Sequence, residues 1–331
     1  LPLDQHFKML KSPNPSTTGE GKTKTSNELG SAEVIQEWVD ATMKTALSMD
    51  PRSYIPELFW SQKTRPDGRI FGQARQTSIT MNVMERNALG SALVKFTSPP
   101  SAAETPATKT TPQTTHVLAG VTIEIGQPSG QEGDLKITCA PTNAPLESWL
   151  QRLLLQVVDL EQLCILPGKA AFGLDISIAV LNQDGNVTDA CLLAAMAALR
   201  STTLPPIVVQ DGRVHTLESD DVRDNLPSSW TTFASKQLSL PVIPLPLSIG
   251  VMRIPPKNKD GEEKEGEKQE QWLVDPSREE EMVCKGGMTI VIDGCNMDQV
   301  LSLDYQGEIS MRHSNLALAL RMAQGRTKEL L

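Results

Sequence analysis

The residues of this chain best able to do chemistry are carboxylates, and three of them stand out by position. Asp184 lies in a polar turn just before an apolar stretch, and Asp275 and Glu281 are six residues apart in the run D-P-S-R-E-E-E. Carboxylates can transfer protons or bind metal ions. Two interpretations are open. The three acids are residual catalytic groups, or Asp184 forms the turn while the other two cap or begin a helix. The second interpretation is favoured.

Three arginines near the first sheet-forming segment are candidates for phosphate contacts. Arg65 and Arg69 belong to the polar turn R-P-D-G-R, and Arg75 follows shortly after it. Arginines often contact nucleic-acid phosphates and fix the register of binding. Arg65 and Arg69 could equally hold the turn together by donating hydrogen bonds to backbone carbonyls, and this structural role is favoured.

The cysteines and histidines do not have the spacing of metal ligands. Zinc sites usually contain paired ligands such as C-x-x-C, and no such pair is present. The residues concerned are Cys139, Cys164, Cys191, Cys284, Cys295, His6, His116, His215 and His313. We therefore expect no metal and no cofactor, and we expect reduced thiols in a cytosolic or nuclear protein.

The composition restricts the class of protein. The 331 residues are 39% hydrophobic and 21% charged, which is ordinary for a soluble globular protein. The net charge of −9 argues against a free-standing nucleic-acid-binding protein, which would normally carry a basic surface. No apolar run approaches the ~18 residues of a membrane span, so no membrane association is expected.

The middle of the chain predicts a helix, a strand and a second helix in succession. Residues 146–158 have apolar side chains along one helical face, so this helix should lie on a sheet. Residues 172–182 have the β-branched and apolar composition of a central strand. A turn at 183–186 then leads to a helix at 190–200, with Thr188 or Asp189 as its cap. That helix is apolar nearly all round, so it should be sandwiched between layers.

The remaining segments predict a layered α+β fold with internal pseudo-repetition. We expect an N-terminal extension over 1–60 that contains a flexible insertion, a first half over 61–206 and a second half over 207–331. The other predicted elements are a flexible loop at 12–30, helices at 31–48 and 310–331, strands at 77–83, 91–96, 115–125, 288–293 and 299–307, a strand-pair signal at 238–254 whose partner strand resumes at 272–276, and loops at 98–114 and 257–271.

Five motifs in order resemble the ribonuclease PH family. They are R-P-D-G-R at 65–69, G-S-A-L-V-K-F at 90–96, L-C-I-L-P-G-K-A at 163–170, the segment 181–199 and L-V-D-P-S-R-E-E-E at 273–281. The chain is most similar to the non-catalytic RNase PH-like ring subunits of the eukaryotic RNA exosome, of the type called ribosomal RNA-processing protein 43. The resemblance implies an RNase PH-type fold, related to domain 2 of ribosomal protein S5, with two pseudo-repeated βαβα halves.

The resemblance also implies what the site residues would do in an active relative. Active members bind inorganic phosphate through a Gly-Thr-Arg turn, which corresponds here to Gly185, Asn186 and Val187. Valine cannot donate a hydrogen bond to phosphate. The two catalytic aspartates correspond to Asp275 and Glu281, and the glutamate is one methylene longer. We therefore predict no catalytic and no phosphate-binding residues in this chain.

The implied function is structural. The resemblance predicts a subunit of a hetero-hexameric ring that pairs with other RNase PH-like subunits, contacts cap subunits with OB and KH domains, and leads RNA through a central channel to a nuclease. It also predicts location in the nucleus, nucleolus and cytoplasm. The alternatives are an active phosphate-dependent 3′→5′ exoribonuclease and a single-stranded RNA-binding module that acts alone.

Overall fold

The structure is a computed structural model, and most of the chain from residue 49 onward is described. The described residues are 49–62, 65–84, 86–99, 114–128, 130–223, 226–227, 229–254, 269–308 and 312–331. The predicted helix at 31–48, the predicted loop at 12–30 and most of the two loops predicted at 98–114 and 257–271 lie outside them.

The first half is built on a six-stranded sheet. Its strands are β1 (Gln76–Met81), β2 (Gly90–Thr97), β3 (Thr114–Gly126), β4 (Asp134–Ala140), β5 (Cys164–Leu166) and β6 (Ala170–Asn182). The order is β1-β2-β3-β6-β4, with β5 paired to β6, and the only parallel pair in this sheet is β4 with β6. Strand β4 was not predicted, although Leu135, Ile137 and Cys139 alternate inward with period two.

Within the described ranges, six α-helices accompany the sheets. They are α1 (Pro51–Gln62), α2 (Ala144–Val157), α3 (Val187–Arg200), α4 (Asp220–Arg223), α5 (Arg278–Val283) and α6 (His313–Leu330). Helix α2 confirms the helix predicted at 146–158. Its cap is Asn143, whose side chain accepts a hydrogen bond from the Leu146 amide, and its leucine face is buried on the first sheet.

Helix α3 occupies the centre of the molecule. Every residue from Asp189 to Leu199 is buried, and the helix packs against β2 and β3 on one side and against the second sheet on the other. The predicted sandwiched position is confirmed. The predicted cap, Thr188 or Asp189, was wrong. The helix begins at Val187, so both residues lie inside it, and the N-cap is Asn186.

The second half is a four-stranded antiparallel sheet of order β13-β12-β14-β15. Its strands are β12 (Pro244–Ile254), β13 (Gln269–Val274), β14 (Gly286–Asp293) and β15 (Val300–Gly307). The loop predicted to reach Gln271 therefore ends before Gln269. Helix α6 covers one face of this sheet with Ala319 and Ala323. No helix in the described part of the chain is long and apolar enough to span a membrane.

Short strands link the two halves. They are β7 (Thr203–Leu204), β8 (Ile207–Gln210), β9 (Arg213–Thr216), β10 (Thr231–Phe233) and β11 (Lys236–Gln237). They form a three-stranded sheet of order β10-β8-β9 and a two-stranded pair of β11 with β7. None was predicted, because runs of two to four residues carry no readable periodicity.

The N-terminal described segment packs on the second half, although strand β1 directly after it belongs to the first sheet. Ile55 and Phe59 of α1 join a small core with Leu273 of β13 and Met252 of β12. Phe71 extends this core, with its ring edge-to-face against Phe59 at 5.2 Å between centroids. Helix α1 was not predicted from the sequence.

Candidate functional site

Three arginines from the N-terminal segment converge at the junction of the two halves. Arg65, Arg69 and Arg75 are each at most 1% exposed. A guanidinium group is costly to bury unless its donors are paired, so the partners of these groups define the site. Many of those partners are carboxylates and carbonyls of the second half and of the turn that precedes α3. Arg69 also pairs at 2.5 Å with Asp67 of its own turn.

Asp275 is the centre of the cluster and follows β13 directly. Its Oδ1 accepts hydrogen bonds from Arg75 Nη2 and Asn186 Nδ2, both at 2.7 Å. Its Oδ2 accepts from the Arg75 amide at 2.8 Å, from Arg75 Nε at 2.9 Å and from Arg69 Nη1 at 3.1 Å. These five hydrogen bonds occupy both oxygens. Burial alone would raise the pKa of Asp275, but the hydrogen bonds and charge of Arg75, with the charge of Arg69, hold that pKa well below its usual range.

Glu280 is a second anchor of the cluster. Arg65 binds it through two bonds, Nε to Oε1 at 2.8 Å and Nη2 to Oε2 at 2.5 Å. The same carboxylate accepts from the Ser277 amide at 2.8 Å, which completes a capping box at the start of α5. Arg65 also donates to the carbonyls of Val274 at 2.7 Å and Asp275 at 2.9 Å. One guanidinium thus ties the turn at 65–69 to the end of β13 and to α5.

The predicted phosphate positions form the turn before α3. Asn186 has a left-handed backbone with φ of 51°, and its side chain donates to Asp275 and to Asp189 Oδ2, the latter at 2.9 Å. Gly185 has φ of 74°, and a Cβ there would lie 2.5 Å from the Pro276 carbonyl oxygen, so only glycine fits. Val187 is half-buried and packs against the main core.

Glu281 places its carboxylate on this turn. The amide of Asn186 donates to Glu281 Oε1 at 2.7 Å. Desolvation raises the pKa of Glu281, and this effect outweighs the opposing hydrogen bond from Asn186 and the charge of Arg75. The backbone donor at the helix N-terminus is therefore already bound to a carboxyl oxygen of the protein itself.

Asp184 borders the cluster on the side of the first half. Its carboxylate lies 3.3 Å from Arg75 Nη1, and its carbonyl accepts from the same nitrogen at 2.6 Å. Burial raises the pKa of Asp184 to about 6, with a further contribution from the negative charge of Glu279 and against the opposing charge of Arg75.

All the residues singled out in the sequence meet at this one place. They are Arg65, Arg69, Arg75, Asp184, Gly185, Asn186, Val187, Asp275 and Glu281. The guanidinium groups point at protein atoms in the interior. For Arg65 and Arg69 this agrees with the structural role favoured from the sequence, in which they donate hydrogen bonds to backbone carbonyls. An RNA phosphate would reach them only if those protein partners gave way. Glu280 was not singled out, although the S-x-x-E pattern of a capping box, Ser277 to Glu280, marks it in the sequence.

The chemistry open to this arrangement is charge pairing within the fold. In the described ranges, no group of three or more His, Cys, Asp or Glu side chains is placed to hold a metal ion. Both carboxylate oxygens of Asp275 are already occupied by hydrogen bonds from the protein.

Comparison with known proteins gives a family match over the first half. Residues 73–205 match the family model described as "3' exoribonuclease family, domain 1" of the RNase PH type. This range contains the first sheet from β1 to β6, helices α2 and α3, and the turn that carries Asn186.

Similar proteins extend the match beyond the first half. Exosome complex component Rrp42 of Methanosarcina mazei is 26% identical over 299 residues, which cover 84% of this chain and 91% of the relative. Exosome complex component Rrp42 of Thermococcus kodakarensis is 27% identical over 296 residues, covering 83% and 91%.

Solved structures establish the fold. A chain of the structure titled "archaeoglobus fulgidus exosome with RNA bound to the active site" has a TM-score of 0.61 at 23% identity, covering 86% of this chain and 97% of that one. A chain of "Archaeal exosome core" has a TM-score of 0.59 at 24% identity, covering 88% and 96%. The family match is therefore confined to residues 73–205, and the solved structures show that the chain has the predicted α+β fold of the RNase PH type.

Proposed function

We propose that this chain, with its ribonuclease PH-type domain, is a non-catalytic subunit of the hexameric ring of the RNA exosome. In this proposal it supports 3′→5′ RNA processing and degradation, including ribosomal RNA processing and mRNA turnover, by helping to lead RNA to a nuclease subunit. We further propose the type called ribosomal RNA-processing protein 43, acting in the nucleus, nucleolus and cytoplasm.

The observation that carries the non-catalytic role is the contact between Glu281 and Asn186. A phosphate ion that approached the turn would meet a carboxylate 2.7 Å from the backbone donor it needs. The negative charges of the carboxylate and of the incoming phosphate would repel each other. Val187 supplies no guanidinium that could offset this repulsion, and Arg75 is already bound to Asp275 and Asp184.

The relatives support the assignment to the exosome. The two archaeal proteins are named as exosome components, and each alignment covers more than four fifths of this chain. We propose by analogy that other RNase PH-like subunits flank this chain in the ring, that OB- and KH-domain subunits cap it, and that RNA passes through the channel. The net charge of −9 is consistent with a subunit whose main contacts are with proteins.

The proposed absence of catalysis is tested by incubating the purified protein with RNA and inorganic phosphate. We expect no phosphate-dependent release of nucleoside diphosphates. Release of nucleoside monophosphates without phosphate would indicate a contaminating hydrolase, so product identity is essential. Phosphate-dependent release of diphosphates by a preparation that shows a single assembly state would overturn the non-catalytic assignment.

The ring assignment needs a separate experiment. The chain is co-expressed with the RNase PH-like subunits of its own organism, and the products are sized by native mass spectrometry. We expect a hetero-hexamer that contains this chain. A chain that stays monomeric and binds single-stranded RNA by itself, with affinity falling steeply as salt rises, would favour the RNA-binding alternative.

A further inference from the structure

The N-terminal segment 51–75 and the buried ion cluster connect the two halves of the chain. Helix α1 and the turn at 65–75 pack on β12, β13 and α5, whereas β1 enters the first sheet directly at Gln76. We infer that the cluster is a clasp: the guanidinium groups of Arg65, Arg69 and Arg75 fasten the segment 51–75 to the second half and fix the junction of the two halves. The inference concerns the fold and goes beyond the proposed place in a ring.

The contacts of Arg65 show why the segment depends on it. Among the described side chains of the segment, Ile55, Phe59 and Phe71 make apolar contacts with the second half. Arg65, by contrast, makes two bonds to Glu280 and donates to carbonyls of Val274 and Asp275. A planar guanidinium with five donors can satisfy a carboxylate and several carbonyls at once, which lysine cannot do.

Arg75 extends the clasp across the junction. Its Nη1 and Nη2 donate to the carbonyls of Asp184 and Gly185 in the first half, at 2.6 Å and 3.2 Å. Its Nε and Nη2 bind Asp275 in the second half. One buried side chain therefore bonds to both halves and holds them in a fixed relative position.

The backbone around the clasp supports the same role. Asn186 and Asp275 both have φ of 51°, an uncommon left-handed conformation for non-glycine residues, and their side chains bond to each other at 2.7 Å. Such conformations persist only where surrounding contacts over-determine them. For Asp275 those contacts come from Arg75 and Arg69. For Asn186 they come from Asp275, Asp189 and Glu281.

The clasp is tested by hydrogen–deuterium exchange of the intact chain, with mass spectrometric readout of separate peptides. Glu280→Gln removes the negative charge at nearly constant shape. We expect amide exchange in 51–75 to accelerate by roughly a hundredfold to several thousandfold, the range implied by loss of one partner of a buried ion pair. Exchange in β3, β6 and α3 should stay at the wild-type rate, because local units open independently of the core.

A matched control comes from an exposed pair of the same chemistry. Arg253 Nη1 lies 3.3 Å from Glu308 Oε2, and the Glu308 side chain is 80% exposed. Glu308→Gln should leave exchange in 51–75 unchanged, since exposed pairs contribute little.

Two further variants separate a clasp from simple packing. Arg65→Lys keeps the charge but loses the fork, so it should accelerate exchange in 51–75 by about tenfold, and it serves if Glu280→Gln does not fold. The double variant R65M/E280L restores apolar packing but leaves the Val274 and Asp275 carbonyls without this donor, so fast exchange should persist.

Three results would overturn the inference. The first is wild-type exchange in 51–75 for both Glu280→Gln and Arg65→Lys. The second is acceleration of the same size in every element, which would mean global destabilisation rather than release of a segment. The third is a double variant that exchanges as slowly as the wild type, since apolar packing would then be sufficient.

Discussion

Helix α3 and the turn that precedes it are stabilised by different kinds of interaction. From Ala190 to Leu199 its side chains lie in an apolar interior between the two sheets. Its preceding turn, Asp184 to Asn186, lies in a cluster of buried ions. The apolar part is stabilised by area removed from water, which needs no particular partner. The turn is stabilised by directed bonds, each of which fails if one partner is missing.

The largest effect should follow from Arg75→Met, which keeps the length of the side chain and removes its donors. Asp275 would lose two of its five hydrogen bonds. The carbonyls of Asp184 and Gly185 would each lose the hydrogen bond from Arg75, although that of Gly185 still accepts from the Thr115 hydroxyl. Leaving a buried charge uncompensated costs about 3–5 kcal/mol. We expect a loss of that order in the free energy of unfolding, measured by urea titration. Arg253→Met, at a half-buried arginine paired with the exposed Glu308, should cost under about 1 kcal/mol, and equal losses would refute the contrast.

A slightly smaller loss should follow from Leu192→Ala in the apolar part of α3. Leu192 is 0% exposed and belongs to the main core. Removing a buried leucine side chain costs about 2–5 kcal/mol through lost burial and the cavity left behind. We expect this loss to be independent of salt and of pH between about 5 and 8, because no charge changes. A loss that varied with pH as strongly as that of Arg75→Met would show that the two parts of the helix are not distinct.

The same contrast explains which features the sequence predicts. The positions of α2, β6 and α3 follow from apolar periodicity, because any apolar surface of the right period can be buried against another. The cluster is different. Arg75 and Asp275 are 200 positions apart, and nothing local to either residue specifies the other. The motifs resembling a known family identified most of its members, but the assignment of Asn186 as the cap required the folded turn. Strands β7 to β11 were missed because their shortness leaves no pattern.

The contributions of Asp184 and Asp275 to the free energy of unfolding should depend on pH in opposite directions. The pKa of Asp184 is raised to about 6 in the folded chain, so between its ordinary value and 6 the unfolded chain binds fewer protons at this group. Stability contributed by this group is therefore present at low pH and falls as pH rises through that window, by at most about 1.4 kcal/mol per pH unit. Asp275, with its lowered pKa, acts oppositely and loses its contribution only at lower pH.

The variant Asp184→Asn tests this sign. Its free energy of unfolding, measured from pH 4.5 to 6.5, should decline less with rising pH than that of the wild type. The other carboxylates are common to both proteins, so the difference between the two curves isolates Asp184. A steeper decline in the variant would contradict the assigned direction.

The smallest effect on stability should come from Glu281→Gln, although it bears most directly on function. The glutamine can still accept a hydrogen bond from the Asn186 amide, so the turn keeps its geometry and the free energy of unfolding should change by less than about 1 kcal/mol. Removing the charge lessens the repulsion of an incoming anion, yet Val187 still supplies no cation. We therefore expect millimolar phosphate to protect the variant weakly against thermal unfolding and to give the wild type no protection. Neither protein should release nucleoside diphosphates. Glu308→Gln removes one exposed negative charge and controls for net charge. Equal protection of wild type and variant would show that the Glu281 carboxylate does not exclude phosphate from this turn.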